Sequence, residues 1–373
     1  MVSKSFILAL ALAGACTAAG TAPASAASAA AVADPILRPA QAVRQPAKAY
    51  LTGVAQAGKR IVAVGERGII ILSDDGGASW RQAKVPVSVT LAAVQFPTPA
   101  EGWAVGHYGV ILHSRDGGES WTRQLDGVQA AQRMLDDARA QGRTAASAAG
   151  AGPTAAYLAE AQRLVADGPD KPFLALHFSD ARNGIVVGAY NLAFRTRDGG
   201  ASWTPISQRL DNPRGKHMYA VEARGNEVYI AGEQGLLLRS LDGGEHFERV
   251  ELPYKGSFFA LALAGGQLTV AGLGGNALQS GDRGASWQKL AVPAPVSITA
   301  MHAGDGTLLM ANQAGMLLRA APGHPASVLP APPLPPLSDL LPQPGGAIVA
   351  VGMAGAVRLP AQPGAIHVST AAP

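Results

Sequence analysis

A unit of about 40 residues recurs seven times along this chain, and nothing else in the sequence limits the fold so tightly. Five copies are plain: "VAVGERGIIILSDDGGASW" at 62–80, "WAVGHYGVILHSRDGGESW" at 103–121, "IVVGAYNLAFRTRDGGASW" at 185–203, "YIAGEQGLLLRSLDGGEHF" at 229–247 and "TVAGLGGNALQSGDRGASW" at 269–287. Two weaker ones, at 309–327 and 349–367, complete the set. Measured at Gly65, Gly106, Gly188, Gly232, Gly272, Asn312 and Gly352, the spacings are 41, 82, 44, 40, 40 and 40 residues. The double interval holds one repeat and an insertion of about a repeat's length. In the second unit four strand-like runs follow one another: "TLAAVQF", "GWAVG", "GVILHS" and "WTRQL". Four short strands at this period make one blade of a β-propeller. The expected fold is therefore all-β, a seven-bladed ring over residues 46–373 with strands A to D running outward from the axis. Closure is expected either from an N-terminal strand paired into the last blade or from "AIHVS" near the C-terminus as that blade's outer strand.

The composition agrees. Gly (45) and Pro (27) punctuate short apolar runs, as turns between strands require. A formal charge of +4 over 373 residues is too small and too dispersed for a nucleic-acid surface. Residues 1–26 read as a signal peptide: Lys4, the apolar run "FILALALAGA", then Ala24-Ser25-Ala26 as a cleavage site. The mature protein is accordingly expected to be periplasmic or secreted, with residues 27–45 an Ala/Pro-rich disordered leader. Cys16 is the only cysteine and lies in this segment. Conventional cleavage leaves no thiol and so no disulfide or cysteine-metal chemistry; the alternative is that Cys16 is the lipidated residue of a lipoprotein.

The recurring Ser/Thr-x-Asp-x-Gly-x-Ser-Trp resembles the Asp-box of the sialidase-type, or BNR, repeat. Its members here are Asp75 and Trp80, Asp116 and Trp121, Asp198 and Trp203, Asp242 and Phe247, and Asp282 and Trp287. The carboxylate suits backbone N–H groups within the C–D turn, the glycines allow positive φ, and the ring anchors the turn. A calcium loop needs more oxygen ligands than one such turn supplies, so the Asp-boxes are read as structural.

Strands alternate direction, so B–C turns and D–A links share one face and the Asp-boxes occupy the other. The insertion, 128–166, is a D–A link between blades 2 and 3. Apolar residues at helical spacing (Val128, Ala131, Leu135 and Ala138, then Leu158, Ala161 and Val165) predict a helical hairpin. The B–C turns on its face carry Arg67, His107, Tyr108, Tyr190 and Asn191, which are candidates for contact with a partner. A second pattern is basic: Arg195, Arg239 and Arg319 close strand C of their repeats, with His113 in that place in blade 2. They can bind carboxylates, or pair locally with acids such as Glu222 or Glu248.

No catalytic set emerges. The obvious acids of the B–C face, Glu66 and Glu233, belong to blades nearly opposite one another, whereas a glycosidase pair stands about 5–9.5 Å apart. No Gly-x-Ser-x-Gly is present. His177, His217 and His302 recur near strand A and would have to gather at the axis to hold a metal; no metal and no cofactor is assigned. The units "GHYGVILHSRDGGESW", "GEQGLLLRSLDGGEHF" and "GAYNLAFRTRDGGASW" resemble those of the photosystem II assembly and stability factor family, over nearly the whole mature chain except the insertion. That resemblance implies a non-enzymatic propeller that binds membrane-protein segments partly through arginines, with Arg195 and Arg239 matching the repeat arginine and Arg319 matching by position. The reading is an exported, monomeric scaffold for assembly of an envelope or membrane protein complex, a transporter among the options. A carbohydrate-active or glycan-binding propeller is the alternative.

Overall fold

The computed structural model describes residues 34–145, 152–304, 306–321 and 323–361. They form seven antiparallel sheets in which each blade packs on the next and the seventh on the first, six sheets having four strands and the last three. In blade 2 the strands are A Leu91–Gln95, B Gly102–Gly106, C Ile111–Ser114 and D Thr122–Leu125. Strand B is buried along nearly its whole length in every blade, because it lies between two neighbouring sheets. Its unbroken apolar runs, "IVAVG" and "GIVVG" among them, are what burial on both faces selects. The core is thus a series of inter-blade seams, such as Val62 and Leu72 of blade 1 against Ala104 and Leu112 of blade 2.

The key glycine of each repeat is explained by close approach rather than by φ. Gly188 has an extended φ of −165°, yet a Cβ added there would lie 2.1 Å from the Pro172 carbonyl oxygen. Gly65, Gly106, Gly232, Gly272 and Gly352 would meet the equivalent oxygen at 2.1–2.3 Å. In all seven blades that oxygen accepts the N–H of the following residue, from Glu66 to Tyr50 (3.1 Å) round to Met353 and Pro336 (3.2 Å). This bond ties each B–C turn to the chain entering strand A, and it confirms that turns and D–A links share a face. Asn312 takes the place in blade 6, where its Oδ1 accepts the N–H groups of Ala314 (3.0 Å) and Met316 (2.9 Å).

Of the two expected closures, the first is not found: among the described residues no N-terminal strand pairs into blade 7, and "AIHVS" lies outside them. Leu51, Ile61 and Ile71 instead pack against Leu341, Val349 and Val351, a seam like the other six. Asp339 adds a polar stitch, its Oδ2 accepting the Val54 N–H at 2.9 Å, and Gln343 Nε2 donates to Gln56 Oε1 at 3.0 Å.

One further expectation is corrected. The supposed leader is a docked strap from Asp34 onward: Ile36 is buried in the seam of blades 1 and 2, and Ala40 N–H donates to Val85 O at 3.0 Å. Residues 1–33, with the signal segment and Cys16, lie outside the described residues. The insertion is a helical hairpin as expected, α1 Gly127–Ala145 and α2 Gly152–Asp167, and most of its expected apolar face is buried: Ala131, Leu135, Ala138 and Ala161, with Leu158 packed beside them. Val128 and Val165, at the ends of the hairpin, are exposed, while Ala130, Met134 and Tyr157 join the buried set against Trp103, Phe173 and Phe194. The hairpin therefore completes the seam between blades 2 and 3.

Candidate partner-binding site

Each Asp-box carboxylate is occupied by its own turn. Asp116 Oδ1 accepts the Ser114 hydroxyl (2.8 Å) and Ser120 N–H (3.0 Å), while Oδ2 accepts the Ser120 hydroxyl (2.5 Å). The same contacts recur at Asp75, Asp198 and Asp282, and at Asp242 with His246 in place of the serine. At Asp75 the Ser79 hydroxyl and N–H, with the Ser73 hydroxyl, hold the carboxyl far below the usual range. Trp121 and Trp287 close their turns by donating Nε1–H to Gly118 O (2.9 Å) and Gly284 O (3.1 Å). Both oxygens of each carboxylate are engaged by its own turn, and among the described residues no cluster of three metal-ligating side chains occurs.

The Asp-box turns also join neighbouring blades, and here the basic residues find their role. The residue after the aspartate offers its carbonyl oxygen to the preceding blade. Arg60 Nη1 donates to Gly117 O (3.2 Å), Gln124 Nε2 to Gly199 O (2.9 Å), Arg195 Nη1 to Gly243 O (3.3 Å) and Arg239 Nη1 to Arg283 O (2.7 Å). Four successive junctions thus carry the same clasp. Arg195 is buried, with Glu245 at 3.1 Å, and Arg239 Nε donates to Glu248 at 3.0 Å. These two arginines are therefore engaged in the ring itself and form no free basic array. Of the two acids suggested, Glu248 is the real partner of Arg239, whereas Glu222 faces His177 at 3.1 Å. His113 is buried, bonded to Glu101 (2.5 Å) and stacked on Trp103 (4.4 Å). Arg319 is half-buried and has no ion pair among the described residues.

On the opposite face the B–C turns share a demanding backbone. Arg67 (φ 53°), Tyr108 (58°), Tyr190 (52°) and Gln234 (51°) all hold left-handed conformations at the same repeat position, where blade 5 has Gly274 (63°). Such a conformation costs a non-glycine residue about 1–2 kcal/mol. The next position is left-handed too, and is glycine except in blade 3, where Asn191 stands (φ 62°). Asn191 is buried, donating to Ser207 O (3.1 Å) and accepting from Asn212 (3.0 Å). Its side chain shapes the turn, so it is removed from the contact candidates. Arg67, His107 and Tyr190 are exposed and Tyr108 is half-buried.

From Tyr190 an aromatic run leads inward. Tyr190 lies 4.6 Å from His217, His217 6.3 Å from Tyr219, and Tyr219 5.4 Å from Phe259, centroid to centroid. Lys171, just beyond the insertion, stands over the outer face of this run, 5.3 Å from the Tyr190 ring. The run exists because strand A bulges at its second residue in all seven blades, which re-aims that side chain. At this position Thr52, Ala92, Leu174, Tyr219, Phe259, Thr299 and Ser338 ring the mouth of an axial cavity of about 460 Å³. Deeper, the cavity is lined by His177, Glu222, His302 and Asp339, whereas His217 sits at its rim outside. Of the three histidines near strand A, two thus line the cavity, and among the described residues they form no metal-ligating cluster. Burial lowers the His302 pKa, Glu222 opposing it, and raises the Asp339 carboxyl to about 6. Tyr219, Phe259 and Lys171 were missed because the repeats were aligned only from strand B onward; aligning strand A as well would have shown two aromatics where other blades carry smaller side chains.

The sequence pattern of the family described as "Photosynthesis system II assembly factor YCF48" matches residues 41–135 and 160–305, more than half of the chain, and breaks off across the hairpin. The photosystem II assembly lipoprotein Ycf48 of Synechococcus sp. (strain CC9902) is 35% identical over 82 residues, 22% of this chain and 25% of that relative. The chain thus matches about a quarter of that relative's length. Among solved structures, YCF48 bound to D1 peptide superposes with a TM-score of 0.58 at 16% identity, over 89% of this chain and 99% of that one. YCF48 from Cyanidioschyzon merolae gives 0.58 at 15% identity, over 83% and 95%. At such identities the two structures establish the seven-bladed fold.

Proposed function

The chain belongs to the photosynthesis system II assembly factor YCF48 family, and from that premise we propose that it is a non-enzymatic assembly factor. Its B–C face would hold a segment of a membrane protein at the axial mouth. The observation that carries this is the aromatic run Tyr190–His217–Tyr219–Phe259. It presents a largely apolar path from the half-exposed Tyr190 to the cavity, beneath Lys171, whose ammonium is itself paired with Asp167 (3.3 Å) and Asp170 (2.5 Å). Aromatic anchors are among the side chains that dominate binding at interfaces. A relative's structure contains a D1 peptide, which supports a peptide ligand in general. A relative named as a lipoprotein likewise supports membrane-side residence.

Deleting the insertion would be a poor test, since it exposes Trp103 and Phe173 of the core. Point variants avoid this. Wild type, Tyr219→Ala/Phe259→Ala and Tyr190→Ala are cross-linked in host envelopes and the attached proteins identified. A membrane protein lost at least tenfold with the double variant, at equal protein level, supports the reading. Its recovery unchanged with both variants sinks it. The axial cavity with Glu222 and Asp339 is what a glycan ligand would use, so glycan binding abolished by Glu222→Gln would favour that alternative instead.

A further inference from the structure

A second groove, of about 450 Å³, lies between the strap and blade 1, away from the axis. Arg38, Lys48 and Arg67 line it with one acid, Glu66, and a floor of Val43, Ala49 and Ile69. Arg38, Arg44, Lys48 and Arg67 have no ion pair among the described residues, so the excess of positive charge is not neutralised internally. The groove is built, not incidental. Ser88 accepts Arg38 Nε–H at 3.0 Å, Gln82 Oε1 accepts the Val43 N–H at 3.0 Å, and Arg67 is held in its left-handed turn. The strap is also unusually apolar on its outside. Leu37 (67% exposed), Val43 (40%) and Tyr50 (41%) are three of the ten exposed large apolar side chains among the described residues, all within 14 positions.

Unpaired cations interleaved with exposed aliphatic and aromatic side chains are what a bilayer interface selects. The cations meet anionic headgroups while the apolar groups enter the acyl boundary. An acidic peptide would need the cations and the groove but would not account for Leu37 and Tyr50 beside them. No described helix is long and apolar enough to cross a bilayer. We propose that the strap and the Arg67 turn form a docking surface for anionic phospholipid, with a headgroup phosphate seated among Arg38, Lys48 and Arg67. Because Arg67 belongs to the B–C face, such docking turns that face towards the membrane. The inference stands apart from the partner-binding reading, and either can fail alone.

The test uses the full chain with Cys16→Ser, so that no acyl group contributes, and flotation with vesicles of phosphatidylcholine alone or mixed with phosphatidylglycerol. Each cation near an anionic surface is worth about 1 kcal/mol, roughly fivefold in binding. Lys48→Gln/Arg67→Gln should therefore cut partitioning to the anionic vesicles about 25-fold, with Leu37→Ser weakening it independently. Lys289→Gln, an exposed cation on blade 5, should leave it unchanged. Equal binding to neutral vesicles, or a double variant that floats like its parent, overturns the proposal. So does saturation by inorganic phosphate or by poly-glutamate with no vesicle binding, which would assign the groove to a soluble anion or an acidic chain.

Discussion

Replacing Gly188 by alanine separates two reasons for a conserved-looking repeat glycine. The backbone there is extended, φ −165°, so alanine meets no conformational penalty. The obstacle is the Pro172 carbonyl oxygen 2.1 Å from the new Cβ, with Phe173 Cα at 2.8 Å. Neither atom is the end of a flexible side chain, so strand A and the B–C turn must separate. Overpacking of this kind costs about 1–3 kcal/mol. The Ala189 N–H bond to the same oxygen, 3.0 Å long, is weakened as well, for about 1 kcal/mol more. The stiffer unfolded chain returns roughly 0.4–1 kcal/mol, leaving a net loss of roughly 1–3.6 kcal/mol, centred a little above 2. Gly76→Ala is the comparison. Its φ of +71° is unfavourable but nothing lies within 4 Å, and Arg283 already occupies the equivalent place in blade 5 at φ 60°. That variant should lose only about 1 kcal/mol. Urea unfolding, read as a midpoint shift at constant slope, measures both. If Gly76→Ala proves the more damaging, close approach is not what the repeat glycine serves.

Three other outcomes follow from the same contacts. Arg195→Met should cost about 2–3 kcal/mol, because the Gly243 and Gly244 carbonyls lose a buried donor while Glu245 keeps Arg197 and Arg209; urea unfolding checks it. Asp282, held at about 2 chiefly by the Ser286 hydroxyl, contributes stability that is present above its unfolded value near 4 and lost as pH falls towards 2; Asp282→Asn should flatten that acid limb in thermal melts. Asp339 has the opposite sign: burial in the cavity raises it to about 6, so its contribution is full below about pH 4 and lost as pH rises through 6, and Asp339→Asn should remove the decline between those values.

What the sequence exposed and what it hid divide along one physical line. The ring was legible because each blade repeats the same local problem: a B strand buried on both sides, a glycine against a carbonyl, a carboxylate closing a turn. Such solutions leave a fixed spacing. The contacts between blades leave none, since the donor and acceptor of a clasp stand more than 40 residues apart and the donor changes identity from Arg60 to Gln124 to Arg195. Three basic residues at one repeat position therefore looked like a surface array, when two of them are clasps whose acceptors are backbone oxygens invisible to any motif. The same blindness applied to Asn191. Read as a polar side chain in an exposed turn it suggests contact; against the glycines of the other blades it is one of the few residues besides glycine that hold left-handed backbone readily, with its amide turned inward to Ser207 and Asn212. A departure from the repeat is informative only when the repeat's physical demand at that position is known. Tyr219 and Phe259 meet no such demand at the bulge of strand A, where alanine, leucine, threonine and serine also serve, and the proposed partner site rests on them for that reason.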